Sequence, residues 1–253
     1  MITIQKNGLL FFQFPNLANY HGIYHGIFTR KGGVSPKPYN SLNISLNTGD
    51  FKANVKKNRS LILQCLEIDN LFFINQVHGT DILILKNENN QTIVSPATGD
   101  AVISNIAGKN IVIQTADCQA VLLYDYNKGV VANIHSGWRG SIQNIIGKTV
   151  KKMENIFECS PVNIIAGIGS GLGLCCAEFI NYKKEIPKKY WKYKNSLNHF
   201  DFYAISKNQL CSAGVLSKNI VSSNFCTKCQ NDLFFSFRKN KTTGRFATII
   251  GIK

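Results

Sequence analysis

The sequence predicts an α+β fold: a single mixed α/β domain over residues 1–253, with largely antiparallel strands and flanking helices. Three observations carry this expectation. Strand-length apolar runs bounded by turn residues dominate the chain. Two of them, 120–124 and 130–134, are joined by "DYNKG", which reads as a hairpin turn. Helical periodicity enters at intervals instead of after every strand, which disfavours a doubly wound parallel sheet. The 253 residues are 44% apolar and no long linker interrupts them, which fits one large domain.

The elements follow in order. The opening "MITIQKNGLLFFQF" holds a short apolar run that Gln13 and Pro15 soon break. With no small-residue cleavage site, it reads as the start of a cytoplasmic protein without a signal peptide. No apolar run reaches the roughly 20 residues that span a bilayer. Residues 23–50, rich in Gly, Pro, Ser and Asn, read as short strand pieces joined by turns, where ligand contacts often lie. In 51–68, Val55, Ile62, Cys65 and Leu66 fall near helical spacing, giving an amphipathic helix with a basic outer face. Strands are expected at 71–77, 82–85, 101–103, 111–114, 120–124 and 130–134. Residues 141–157 form the clearest helix, with Ile142, Ile145, Ile146, Val150, Met153 and Ile156 on one face and Ser141 as a plausible N-cap. A strand at 163–169 leads into a glycine-rich loop. A short helix near 202–213, capped by Asp201, precedes a last pair of strands at 233–237 and 247–252.

The formal charge of +15 suggests an anionic partner. Its lysines are dispersed and no recognition motif accompanies them, so nucleic acid is not expected as the main partner. Eight cysteines are many. In a reducing compartment they stay thiols or bind metal. Cys226 and Cys229 form a CxxC, which alone is a weak signal for zinc or redox chemistry, because a structural zinc needs a second pair. The adjacent Cys175 and Cys176 look like a poor second half, because neighbouring residues need a special turn to aim both sulfurs at one ion. Cys65, Cys159 and Cys211 read as small core hydrophobes.

Three apolar strands each deliver a reactive side chain at or near an end: His78 in "INQVHGT", Cys118 in "TADCQA" and His135 in "ANIHSGW". Zinc accepts imidazole nitrogen and thiolate sulfur, and three protein ligands leave one position for water, as catalytic sites require. The hairpin expected at 125–129 would bring Cys118 and His135 together. Gly79, Gly137 and Gly140 would let backbone approach closely. A Cys118–His135 nucleophile–base pair fits the same spacing. The second histidine, His78, favours a metal.

The stretches "HGIFTRKGGVSPKPYNSLN", "NQVHGTD", "GDAVIS", "TADCQAVLLYD", "IHSGWRGS", "GIGSGLGLCCAEF" and "CTKCQNDLFFSFRKNKTTGR" occur in this order. Together they resemble the YfiH, or laccase-domain, family, also called multicopper polyphenol oxidase-like proteins and purine nucleoside phosphorylases. The resemblance runs from about Tyr24 to Arg245. It implies zinc held by His78, Cys118 and His135, phosphorolysis of adenosine, inosine and methylthioadenosine, and deamination of adenosine. The oxidase label implies copper, which Cys/His sites also take up by substitution; a multicopper oxidase needs more than the five histidines present. Relatives are also called peptidoglycan editing factors, and the fold is similar to toxin deamidases with a Cys–His pair. A thiol hydrolase or amidase acting on peptidoglycan precursors is therefore the alternative, and a basic binding protein with structural zinc is a third. The pattern departs from the family at Ser170, where proline is usual, and at Ala177, where tyrosine is common. Under the phosphorylase reading, Arg30 and Arg139 are candidate phosphate ligands. Asn43 would bind a substrate hydroxyl or cap a turn. Asp117 would assist proton transfer or orient a ligand. Arg238 and Arg245 would brace the C-terminal hairpin.

Overall fold

A computed structural model describes residues 1–86 and 97–253. Its strands are β1 (Ile2–Lys6), β2 (Leu9–Gln13), β3 (Ile23–Phe28), β4 (Phe72–Phe73), β5 (Ile82–Leu85), β6 (Ala101–Ser104), β7 (Asn110–Thr115), β8 (Gln119–Asp125), β9 (Val130–Ser136), β10 (Ile164–Ile168), β11 (Ile220–Ser222) and β12 (Phe246–Ile252). Its α-helices are α1 (Pro15–Ala18), α2 (Lys52–Leu66), α3 (Trp138–Ile142), α4 (Ile145–Phe157), α5 (Tyr182–Glu185) and α6 (Phe202–Ser212). The strands form two six-stranded sheets, ordered β1-β2-β3-β12-β7-β4 and β11-β10-β8-β9-β6-β5. Most pairings are antiparallel, while β4–β7, β5–β6 and β10–β11 are parallel. This is the mixed, largely antiparallel α+β architecture that the sequence predicts.

Both faces of the central strands are buried, which is why they read as continuous apolar runs and not as alternations. Along β8, Ala120, Leu122 and Tyr124 join Ile111, Ile113, Phe246 and Ile250 of the first sheet in one core. Val121 and Leu123 point the other way, against Ile146, Val150 and Met153 of α4. On the far side of the first sheet, Phe28, Val112 and Ile249 pack on Ile62, Cys65 and Leu66 of α2. The order across the layers is thus α2, first sheet, second sheet, then α4 and α6. A buried polar link crosses between the sheets: Asn133 on β9 donates to the carbonyls of Ile111 and Thr248, at 3.0 and 2.9 Å.

Several local expectations are corrected. The opening run folds as a hairpin, β1–β2, turning at Asn7-Gly8 with positive φ at both residues. The strand expected at 71–77 shrinks to Phe72–Phe73, with an isolated bridge between Asn75 and Thr98. Residues 233–237 form no strand. Phe234 and Phe235 are fully buried in the inter-sheet core, while the amides of Leu233 and Phe234 bond back to the Gln230 carbonyl in a turn. Short apolar runs specify burial better than they specify strand. Helix 141–157 divides at Gln143–Asn144. Ser141 lies inside α3, and Asn144, at φ 60°, caps α4 by accepting from the Gly147 amide. Asp201 caps α6 as expected, accepting from the Ala204 amide at 2.9 Å. Cys211 is exposed on α6, whereas Cys65 and Cys159 are buried. Among the described residues, no helix is long and apolar enough to cross a membrane.

Candidate active site

The hairpin β8–β9 sets the geometry. Asp125 begins its turn by accepting from the Asn127 and Lys128 amides, and Gly129 takes φ +63° to close it. The resulting register pairs Ala120 with His135 and Gln119 with Ser136. Cys118, one residue before β8, therefore lies beside the end of β9. His78 reaches the same place from the loop between β4 and β5, at φ 62°.

A buried carboxylate holds that loop in place. Asp100, fully buried just before β6, accepts from the amides of Val77, His78 and Gly79, at 3.3, 2.9 and 2.6 Å. Its Oδ1 lies 2.7 Å from His135 Nδ1, and its carbonyl accepts from the His135 amide. One residue thus fixes two strand ends. With Nδ1 committed to Asp100, the Nε2 atom of His135 is the one left for a ligand.

The donor atoms of His78, Cys118 and His135 lie within 4.8 Å of one another. Cys118 Sγ is 3.8 Å from His78 Nε2, and the two imidazoles are nearly perpendicular, with centroids 4.7 Å apart. A first-row divalent ion held at about 2.0–2.3 Å by nitrogen and sulfur needs donors about this far apart. Gly137 preserves the space between them. A Cβ there would sit 2.9 Å from His78 Cδ2 and 3.3 Å from Cys118 Sγ. Gly140 is equally constrained, since its Cβ would lie 2.9 Å from the Gly79 carbonyl oxygen. The residues present fit a metal.

The electrostatics agree. Burial opposes ionisation of Cys118, but the His135 and His78 rings overcome it and draw the thiol down to about 6. Burial likewise opposes the charged form of His135, yet Cys118 and Asp100 lift it to about 9. Burial pushes the Asp100 carboxyl up, and the bonds from His135 and the loop amides outweigh it, holding the group below the usual carboxylate range. Without a metal, the cluster carries a thiolate–imidazolium pair near neutrality.

The three donors open into a cavity of about 570 Å³. Its lining includes the aromatic rings of Trp138, Phe179, Phe202 and Phe237 and the cations Arg139, Arg238, Lys241 and Arg245. Buried polar atoms of Gln114, Thr115, Gln119 and Ser136, which also line it, have no hydrogen-bond partner among the described residues. Asp117 lies here too, at φ 95°, but both carboxylate oxygens are engaged, by Thr227 Oγ1 at 2.7 Å and by the Arg238 amide. Arg139 is exposed at the rim, with its guanidinium 4.8 Å from the Trp138 ring centroid.

Two other candidates lie elsewhere. Arg30 lines a separate open cleft, where its guanidinium donates to the Asn40 and Asn231 carbonyls and stacks on Phe235. Asn43 is fully buried, and its amide is spent on Ser45, Thr48, Asp50 and the Arg245 backbone. It acts on the cavity only through the loop and arginine that it braces. Sequence reasoning did not single out Asp100, although "GDAVIS" contains it, and it assigned Arg238 and Arg245 to a hairpin that is not formed. Both arginines line the cavity instead. Ser170 is buried, and Ala177 packs against Ile186, Tyr190 and Phe200.

Known proteins share this arrangement of chain. A purine nucleoside phosphorylase of Bacteroides thetaiotaomicron is 29% identical over 257 aligned residues, which cover 94% of each chain. The purine nucleoside phosphorylase YfiH of Escherichia coli is 32% identical over 231 residues, 88% of this chain and 90% of that protein. The crystal structure of YlmD from Geobacillus stearothermophilus matches with a TM-score of 0.85 at 28% identity, covering 100% of this chain and 99% of that one. The hypothetical protein YfiH of Bacillus licheniformis matches in fold with a TM-score of 0.87 at 24% identity, over 98% and 97% of the two chains. The family described as multi-copper polyphenol oxidoreductase laccase matches residues 24–253, a span that contains every residue of the candidate site, and the chain belongs to that family.

Proposed function

We propose that this chain is a purine nucleoside phosphorylase acting on adenosine, inosine and methylthioadenosine, with zinc held by His78, Cys118 and His135. The observation that carries the reading is the position of this donor set in a cavity that combines aromatic faces with four cations. Aromatic rings suit a purine, and arginines suit phosphate, which they grip with paired N–H groups. The unpaired atoms of Gln119 and Ser136 suit ribose hydroxyls. Zinc, when bound, supplies a Lewis acid beside the substrate. Copper in its place would account for the family's oxidase label, but a site of three protein donors holds one ion.

In phosphorolysis, a phosphate oxygen attacks C1′ of the ribose. The C1′–N bond breaks, its electron pair leaves with the purine, and the base collects a proton. Arg139, Arg238 and Arg245 would hold the phosphate, and Trp138 and Phe179 would flank the base. Asp117 holds the loop that carries Arg238 and so positions this wall. Adenosine deamination is a second activity that the same site would support.

One experiment tests both. Zinc-loaded protein incubated with adenosine and phosphate is expected to yield adenine and ribose 1-phosphate. Inosine formed without phosphate would identify deamination. Neither product would remove the reading. The depressed Cys118 thiol beside His135 also supports a thiol hydrolase acting on peptidoglycan precursors. Replacing His78 by alanine separates the two, because it ends zinc-dependent turnover and spares a Cys118–His135 pair.

A further inference from the structure

Four cysteines outside this site converge. Cys175, Cys176, Cys226 and Cys229 bring their sulfurs within 4.8 Å of one another, and Cys229 Sγ lies 3.5 Å from both Cys175 Sγ and Cys176 Sγ. The turn that the adjacent pair needs is present. The amides of Cys176 and Ala177 both bond the Gly173 carbonyl, at 2.9 and 3.0 Å, winding the chain tightly enough for both side chains to face one point. Opposite them, the Gln230 amide bonds the Cys226 carbonyl, so the CxxC occupies a turn of its own.

We propose that these four cysteines form a second metal site, a tetrathiolate centre for a single zinc-class divalent ion that clasps two loops beside the active-site cavity. The spacing argues for it. Four sulfurs at about 2.3 Å from one tetrahedral ion stand about 3.8 Å apart. A disulfide would draw two of them to about 2.05 Å. An iron–sulfur cluster interposes several atoms and needs the thiolates farther apart. Cysteines with one proton each have no evident reason to crowd in this way, and only Cys226 is buried.

The consequence is mechanical. The Gly171 amide bonds the Phe225 carbonyl and the Thr227 amide bonds the Gly171 carbonyl, so the two loops already meet as a short bridge. Thr227 in turn donates to Asp117, whose neighbour is Cys118. An ion at the four sulfurs would lock the loop that presents Leu172 to the cavity and the loop whose Thr227 holds Asp117, and through Asp117 the Arg238 backbone.

The test uses full-length Cys118→Ala protein, in which the first site has no sulfur. Purified from zinc-supplemented growth, it is expected to retain one equivalent of zinc. Exchanged with cobalt(II), it is expected to show sulfur-to-cobalt charge transfer and the intense visible bands of a tetrahedral thiolate complex. Adding Cys226→Ser and Cys229→Ser should abolish both signals. Protein that is folded by circular dichroism yet holds no zinc and gives no thiolate bands would overturn the proposal. So would four cysteines that react freely with a thiol reagent in the presence of excess zinc, or a disulfide among them in non-reducing mass analysis. None of these readouts depends on nucleoside turnover, so this site and the proposed activity stand or fall separately.

Discussion

The Asp100 carboxylate lies 2.7 Å from His135 Nδ1 and at the same time accepts from the His78 amide at 2.9 Å. A single buried side chain therefore sets the tautomer of one candidate ligand and the backbone of another. Replacing it by asparagine keeps the shape but puts an NH₂ group where at least one donor already points. Zinc affinity of Asp100→Asn is expected to fall about 10–100-fold. Competition against a chromophoric chelator measures it. Wild-type affinity in the variant would show that Asp100 has no part in ordering the donors.

Gly137 gives a steric counterpart. Alanine there would press on His78 and Cys118 together, and neither can retreat without leaving the cluster. Gly137 sits at extended φ, −69°, so alanine introduces no backbone strain. Gly137→Ala is expected to lose zinc from the first site while keeping its far-ultraviolet dichroism. Full zinc content at that site would mean that His78 and Cys118 can yield to the added methyl without releasing the ion.

In metal-free protein, Cys118 is expected to react with iodoacetamide with a midpoint near pH 6, not near the ordinary thiol value. His135→Ala should move the midpoint up, because the imidazolium is the leading cause of the depression. The same pair links metal-free stability to pH through two opposing contributions. The Cys118 pKa is lowered on folding, so its contribution is present above the unfolded thiol value and lost as pH falls through about 6. The His135 pKa is raised, so its contribution is complete below the unfolded imidazole value and lost as pH rises through about 9. The two contributions run in opposite directions between about pH 6 and 9 and largely offset one another, so the melting temperature of metal-free wild-type protein should vary little across that range. A reactivity midpoint near 8.5 would remove the ion pair and with it the case for a thiol nucleophile.

How much of this was legible in the sequence varies with the range of the cause. The β8–β9 hairpin was readable because its signal is local: Asp125 and Gly129 bracket two apolar runs. From it came the approach of Cys118 to His135. The β1–β2 hairpin carries an equally local signal in Asn7-Gly8, among the strongest short turns known, although Gln13 and Pro15 make the surrounding apolar run look broken. Asp100 had no local signal. An aspartate between glycine and a strand looks like any turn residue, and only the fold carries the 77–79 amides to it. The four-cysteine cluster failed for a related reason. Its halves lie about fifty residues apart, and the turn that aims Cys175 and Cys176 together depends on a Gly173 carbonyl that no pattern marks.

Arg245 and Arg30 test which cation belongs to the chemistry. Arg245 is partly buried in the cavity wall, where burial lowers its pKa while the negative charges of Cys118 and Asp117 act against that shift. One guanidinium nitrogen is anchored on the Thr243 and Gly244 carbonyls, which holds the group toward the site. Losing a hydrogen bond to a charged group costs about 1.5–3 kcal/mol, or about 10–100-fold in affinity. Arg245→Met is therefore expected to raise the KM for phosphate by about that factor and to move the KM for nucleoside much less. Arg30 is committed to the Asn40 and Asn231 carbonyls outside the cavity. Arg30→Gln should lower the melting temperature and leave the phosphate KM where it was. The reverse pattern, with phosphate binding weakened by the change at Arg30 and untouched at Arg245, would move the anion site to the other cleft and separate it from the His78–Cys118–His135 cluster.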